Sequence, residues 1–418
     1  MGMKKQAAML SMLLLFTECF GGCAVDAGKK NEAEKVSLVI WGSEETQPLL
    51  EELTDAFVEA HKDEVELDIT VGAQAESSLA DNVVGDVERA ADVFCFADDQ
   101  FTRLSADGDL LPITRNVEEI IEACGGRETT AVQCAMEGDT LYAYPLTASN
   151  GYYLYYNAEY FDEDEVQTLD EILEIAEASG KKVTIDYSSG WYMYSFFSAA
   201  GLELNLAEDG KTNNCNWNAT DTQYTGVDVA EAMLAIAKNP AFVSLNDDGF
   251  RSGVKDGSII AGVNGPWNES YVKQCWGENC RAVKLPTYTI KGDEQLQMHS
   301  FMGYKMVGVN AKTESPEWAM QLAEWISNEE NQMKRFETTG ECPVNQKAAA
   351  RKEVQDSLAV KAMVEQAPYA SQNQVAKCFW NAATAFGAVI AAGNPDERSL
   401  QELLDDLVKG ATTEQKET

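Results

Sequence analysis

Lys35-Val36-Ser37-Leu38-Val39-Ile40-Trp41-Gly42 is the stretch on which the fold turns. It is rich in β-branched residues and stops at a glycine, so it reads as a buried strand. A helical pattern follows, with Leu49, Leu50, Leu53, Phe57 and Val58 on one face. Glu64 to Val71 alternates polar and apolar as a second strand, and another helix is expected from about Ser77 to Arg89. Ala91-Asp92-Val93-Phe94-Cys95-Phe96 then reads as a third strand. Strand, helix, strand, helix, strand is the pattern of a parallel sheet wrapped by helices, an α/β fold. Ligands of such sheets lie beyond the carboxyl ends of the strands. The loops Gly42-Ser43-Glu44-Glu45 and Phe96-Ala97-Asp98-Asp99 therefore share one functional rim.

Downstream, a second series of strands and helices runs from Tyr152 to about Ser300 and includes Gly262-Val263-Asn264. Gly303 to Val309 reads as a further strand, after which helices dominate. Trp318, Leu322, Trp325 and Ile326 recur at helical spacing and read as core. The last helix opens with the capping box Ser399-Leu400-Gln401-Glu402, buries Leu400, Leu403, Leu404 and Leu407, and stops at Gly410. A body of this length exceeds what one hydrophobic core supports, so two domains are expected.

The amino terminus places the chain outside the cytoplasm. Lys4 and Lys5 precede an apolar run, Ala7 to Phe16, that is too short to span a bilayer and reads as an export signal. Phe20-Gly21-Gly22-Cys23 resembles the bacterial lipobox, with Cys23 as the acylated first residue of the mature chain. Residues 1–22 are thus the signal peptide, and the polar segment 23–34 is a lipid-anchored tether with nothing to bury. The membrane is reached through that anchor alone, since no later segment has eighteen continuous apolar residues.

Sixty-nine acidic against 32 basic residues give a formal net charge of −37, which argues against nucleic acid or anionic lipid as ligand. The acidic run Asp162-Glu163-Asp164-Glu165 lacks the ligand alternation and turn glycine of a calcium loop and reads as solvated surface. Two histidines and no Cys-x-x-Cys pair speak against structural zinc, and neither a cofactor nor a metal is called for. Cys124 with Cys134 and Cys275 with Cys280 stand at spacings that allow disulfides, which export permits. Buried free thiols fit equally well. Ser252-Gly253-Val254-Lys255 matches an acyl-enzyme motif without its partner motifs and reads as a helix face.

Six segments, in order, resemble the family-1 extracellular solute-binding proteins, the receptor subunits of sugar-importing ABC transporters, and among them the maltose/maltodextrin-binding branch. They are VIWGSEE (39–45), ADVFCFADDQF (91–101), LYAYPLTASNGYYLYYN (141–157), SGWYMYSFFSAAG (189–201), KDGSIIAGVNGPW (255–267) and FWNAATAFGAVIAAG (379–393). The resemblance implies a two-lobe, type II periplasmic-binding-protein-like fold whose lobes close on a sugar. Lobe 1 would comprise 35–147 plus 302–350, lobe 2 would comprise 152–298 plus 352–412, and 413–418 is a tail. It also implies ligand contacts at Phe96, Asp99, Trp191, Trp267 and Trp380, with Glu44, Glu45 and Asn150 in the altered loops. Flat aromatics suit the C–H faces of pyranose rings, while carboxylates and amides suit the hydroxyls. Two departures stand out. Ser43-Glu44-Glu45 replaces the region of the maltose receptor's first basic residue, and Leu146-Thr147-Ala148-Ser149-Asn150 lacks its hydroxyl-binding glutamate.

The expected function is that of a monomeric, lipid-anchored receptor on the outer side of the cytoplasmic membrane. It would bind an oligosaccharide, malto-oligosaccharide above others, and present it to ABC permease subunits without catalysis. A receptor for another oligosaccharide, or one capturing surface glycans, is the runner-up. A secreted glycoside hydrolase would need two carboxyls facing one glycosidic bond, about 5–9.5 Å apart. The rim supplies carboxylates, but no motif singles out a partner acid.

Overall fold

A computed structural model describes residues 35–74, 79–148, 150–372 and 374–414. The signal peptide, the tether and Cys23 lie outside these residues, as do Ser77, Ser149 and the last four residues of the tail.

Ten strands build two five-stranded sheets. In chain order they are β1 Lys35–Gly42, β2 Glu66–Ala73, β3 Val93–Ala97, β4 Ala143–Thr147 and β5 Tyr153–Asn157. The rest are β6 Lys182–Thr184, β7 Phe242–Val243, β8 Ile259–Asn264, β9 Cys280–Val283 and β10 Lys305–Val309. The first sheet has the order β2-β1-β3-β10-β4, and the second β7-β6-β8-β5-β9. The strands β1, β2 and β3 run parallel, with Lys35 opposite Glu66 and Gly42 opposite Ala73, whereas β10 is antiparallel to both its neighbours. In the second sheet β6, β7 and β8 are parallel and β5 is the reversed strand.

Each sheet has its own core. Val36, Leu38 and Ile40 of β1 pack with Leu49, Leu50, Leu53 and Phe57 of the helix Gln47–His61. Trp325 packs partly buried against this core, and its indole N–H donates to the Leu53 carbonyl at 3.0 Å. The second core gathers Leu154, Val183, Ile260 and Val263 with the faces of the helices Gly190–Ala199, Cys378–Ala391 and Leu400–Ala411. Ser399 caps the last of these by accepting from the Glu402 N–H, and the helix runs one residue past Gly410. The helix described in the Ser77–Arg89 region is shorter than its pattern implies, Leu79–Gly85, because the chain turns at Asp86, whose carbonyl takes the Arg89 and Ala90 N–H groups.

The chain crosses between the sheets beside Asn150 and again beside Gly303. The Asn150 N–H donates to the Gly303 carbonyl at 3.1 Å, and the Ala148 N–H to the Cys342 carbonyl at 2.8 Å. These bonds tie three passing segments into one hinge layer between the two lobes. All eight cysteines of the described residues are free thiols, so neither candidate disulfide forms. Burial pushes the thiols of Cys124 and Cys134 up to about 12, which keeps them protonated and inert. Among the described residues, no helix is long and apolar enough to cross a membrane.

Candidate functional site

A cavity of about 570 Å³ opens between the lobes. Ser43, Glu44, Glu45 and Thr46, just beyond β1, line one wall together with Ala73 and Gln74 at the end of β2. Lys305, Thr339 and Glu341 complete the side from the first lobe. The second lobe adds Trp267, just beyond β8, and Asp247 at the start of the helix Asp247–Asp256, and Asn150 comes from the crossing. The cavity therefore sits at carboxyl ends of β1, β2 and β8, where strand order predicts a ligand.

Trp267 is held in place from several directions. Its indole N–H donates to Asp247 Oδ2 at 3.0 Å, while Asp247 Oδ1 accepts from Asn264 Nδ2 at 2.8 Å. The six-membered part of the indole lies on Gly265, where an added Cβ would fall 2.1 Å from the ring. The ammonium of Lys305 stands 5.7 Å from the ring centroid. An aromatic fixed at its edge, on its backbone side and by a cation is pre-set for stacking.

Behind this wall lies a buried charge cluster. Lys305 Nζ is 2.5 Å from Glu341 Oε1, and Arg335 Nη1 is 3.2 Å from Glu341 Oε2. Burial alone would raise the Glu341 carboxyl, but the two cations more than reverse it and hold it well below the ordinary carboxylate range. Glu341 is thus a fixed anion, the opposite of a general acid.

Contacts across the lobes flank the cavity. Arg251 of the second lobe lies 3.7 Å from Glu45 of the first, and Ser270 Oγ donates to the Thr338 carbonyl at 3.1 Å. Farther along, Lys377 meets Asp81 at 2.6 Å and Thr102 Oγ1 donates to Gln374 Oε1 at 2.9 Å. Exposed pairs of this kind are each worth under about 1 kcal/mol, so they join the lobes weakly rather than lock them.

The sequence-derived site residues fall in four places. Glu44, Glu45, Asn150 and Trp267 share the cavity. Trp191 and Trp380 do not line it and instead form an aromatic cluster with Phe301. Trp191 stacks on Phe301 at 4.9 Å, and Trp380 stands 6.5 Å from Trp191. Phe96 must be corrected. Every residue of β3 is buried, and the Phe96 ring, with no exposure, packs beside Phe94 in the first core at 5.9 Å between centroids. It offers no face to a ligand. Asp99 is partly buried in the turn Asp98–Gln100, outside the cavity lining. Its charge helps to raise Asp98, whose carboxyl is pushed up to about 7 chiefly by burial.

Sequence reading passed over Asp247, Arg251, Lys305 and Glu341. One signal was available: Lys305 opens an otherwise apolar strand, and a lysine at the head of a buried run calls for a reason. Among the described residues no cluster of His, Cys, Asp and Glu is arranged to hold a metal.

The family model for bacterial extracellular solute-binding proteins matches residues 52–362. The chain belongs to that family. A relative across nearly its whole length is the galactooligosaccharide-binding protein of Bacillus subtilis (strain 168), 23% identical over 436 residues and covering 98% of each chain. Among solved structures, one described as being with acarbose aligns at a TM-score of 0.79 and 28% identity, over 90% of this chain and 99% of that one. The maltodextrin-binding protein of L. casei BL23, solved without ligand, aligns at 0.70 and 21% identity over 91% and 99% of the two chains. As a member of this family, the chain carries the two-lobe fold of sugar-binding receptors and the role of an extracellular solute-binding protein.

Proposed function

We propose that this chain is a lipid-anchored, monomeric receptor that captures an oligosaccharide between its lobes and delivers it to an ABC importer. Malto-oligosaccharide is the favoured ligand. The observation that carries this reading is the interlobe cavity in which Trp267 is fixed at its edge beside carboxylates and amides from both lobes. A pyranose unit covers the indole with its C–H face and turns its hydroxyls toward Glu44, Glu45, Asn150 and Glu341. Closure of the lobes removes water from these polar contacts and strengthens them. Trp191 and Trp380 supply a second aromatic group for further sugar units. The solved relative with acarbose and the maltodextrin-binding relative support an α-glucan. The Bacillus relative favours a second reading, a galacto-oligosaccharide.

Cys23 anchors the body on the outer face of the membrane, and the acidic surface keeps it soluble there. No catalysis is proposed, because of the cavity's four carboxylates Asp247 holds Trp267 and Asn264, Glu341 holds Lys305 and Arg335, and Glu45 lies 3.7 Å from Arg251, so Glu44 has no second carboxyl left to work with.

Isothermal titration of the soluble body with maltose, maltotriose, longer malto-oligosaccharides, galacto-oligosaccharides and a xylo-oligosaccharide tests the reading. Binding that tightens with α-glucan length and then levels off is the expected result. Selective binding of the galacto-series would transfer the ligand assignment to the second reading. Silence with every glycan would sink the receptor reading.

A further inference from the structure

An ammonium taken out of water needs both a counter-charge and replacement hydrogen bonds, so a lysine is seldom buried in a strand. Lys305 opens β10, and its side chain is only 7% exposed. Glu341, 1% exposed, meets it at 2.5 Å, and Arg335, 2% exposed, meets the other oxygen of Glu341 at 3.2 Å. Well-packed apolar side chains at such positions commonly fold as stably as buried ions. Stability therefore does not account for this trio, whereas its position does. Lys305 and Glu341 line the cavity, Arg335 backs Glu341 from outside the lining, and the ammonium faces the Trp267 ring from the opposite lobe at 5.7 Å. Arg335 fixes Glu341, Glu341 fixes Lys305, and Lys305 is presented to whatever lies against Trp267.

We propose that Lys305 is a specificity-determining residue of the cleft, forming with Glu341 a donor–acceptor pair that reads the hydroxyls at the rim of the sugar unit stacked on Trp267. The inference rests on the oligosaccharide-receptor reading and adds which groups choose the ligand. Neighbouring hydroxyls of a pyranose each donate and accept, and an ammonium beside a carboxylate offers one partner of each kind. Such a site discriminates strongly, because a sugar lacking the hydroxyl leaves a buried charge under-satisfied. A sugar carrying an ammonium at that rim is repelled by Lys305. The site is also complete only when the lobes meet, since Lys305 belongs to one lobe and Trp267 to the other.

The test titrates wild type, Lys305→Met and Lys305→Arg with maltotriose and its monodeoxy analogues, with thermal melting of each variant alongside. Wild type is expected to bind at least one analogue about tenfold or more weaker than the parent sugar. Lys305→Met should bind the parent about tenfold weaker and treat that analogue and the parent alike. Lys305→Arg, which keeps the charge, should retain part of the discrimination. A purely structural Lys305 would weaken all ligands by one common factor and leave the analogue pattern intact, and that result overturns the proposal. The triple variant Lys305→Met, Arg335→Met and Glu341→Gln removes every charge of the cluster together and serves where the single variant fails to fold, with the same loss of discrimination expected. Failure of wild type to bind maltotriose or galacto-oligosaccharides would instead bring down the receptor reading, and this inference with it.

Discussion

Raising the pH from 5 to 8 should cost this protein stability through a single carboxyl, that of Asp98. It follows β3 directly and lies against the second crossing: a Cβ on Gly303 would come within 2.4 Å of its Oδ1, and it accepts a hydrogen bond from the Tyr304 backbone. Burial first, and then the neighbouring charge of Asp99, raise it from 3.8 to about 7, with backbone N–H groups offsetting part of the effect. In the unfolded chain it titrates near its ordinary value, about 3.9. Below about pH 4 both states hold the proton, and Asp98 adds no pH dependence. Between about pH 4 and 7 the unfolded state gives up its proton while the folded state keeps it, so unfolding becomes steadily more favourable. Above about pH 7 the full penalty is present. A shift of roughly three units corresponds to about 4 kcal/mol, and relaxation of the native state brings the expected cost to about 2–4 kcal/mol. Urea unfolding of wild type and Asp98→Asn at pH 5, 6.5 and 8 measures it. The stability of Asp98→Asn relative to wild type should rise by about 1–2.5 kcal/mol from pH 5 to pH 8, because roughly 1.5 kcal/mol of the penalty is already present at pH 5. A relative stability that stays constant, or falls, refutes the reasoning.

Trp267→Ala should weaken oligosaccharide binding by about 1–3 kcal/mol in titration while leaving the melting temperature close to wild type. Gly265→Ala should imitate much of that loss by pushing the indole off its seat, and an unchanged affinity would show that the ring is not the platform. Phe96→Ala should behave in the opposite way, losing about 3–5 kcal/mol of stability in denaturant with affinity retained by the folded fraction. Glu341, held below its ordinary value of 4.5, contributes stability that is present above about pH 4.5 and lost as the pH falls toward 2. Replacing it with Gln at neutral pH should destabilise by about 3–5 kcal/mol, because two buried cations lose their counter-charge; a cost under about 1 kcal/mol in urea unfolding would contradict that account.

What the sequence disclosed follows from which signals are local. The strand β1 and the helix after it were legible because one face of each is buried and the other is not, so Val36, Leu38 and Ile40 alternate and Leu49, Leu53 and Phe57 recur at helical spacing. In β3 all five residues are buried, so alternation carries no information about which side meets the cleft. Phe96 was expected at the ligand through the resemblance alone, and no pattern within the strand could show that its ring turns into the core. Trp267 entered through the resemblance of the Asn264-Gly265-Pro266-Trp267 segment that follows β8, and it lies in the cavity lining. The partners that give Trp267 its chemistry were not legible, since Asp247 lies 20 residues before it and the ammonium over its ring comes from the other lobe. Lys305 and Glu341 meet because β10 and the chain after the helix Glu329–Thr339 converge on the hinge, a long-range contact that no window of sequence contains.

A crystal structure with the oligosaccharide that titrates most tightly is the most direct measurement of the central claim. The expected result is a sugar ring against the indole of Trp267, its hydroxyls within hydrogen-bond reach of Glu341 and Lys305 from one lobe and of the second lobe's polar groups from the other. A sugar bound on the outer surface, or touching one lobe only and leaving the Trp267 cavity to water, would contradict it.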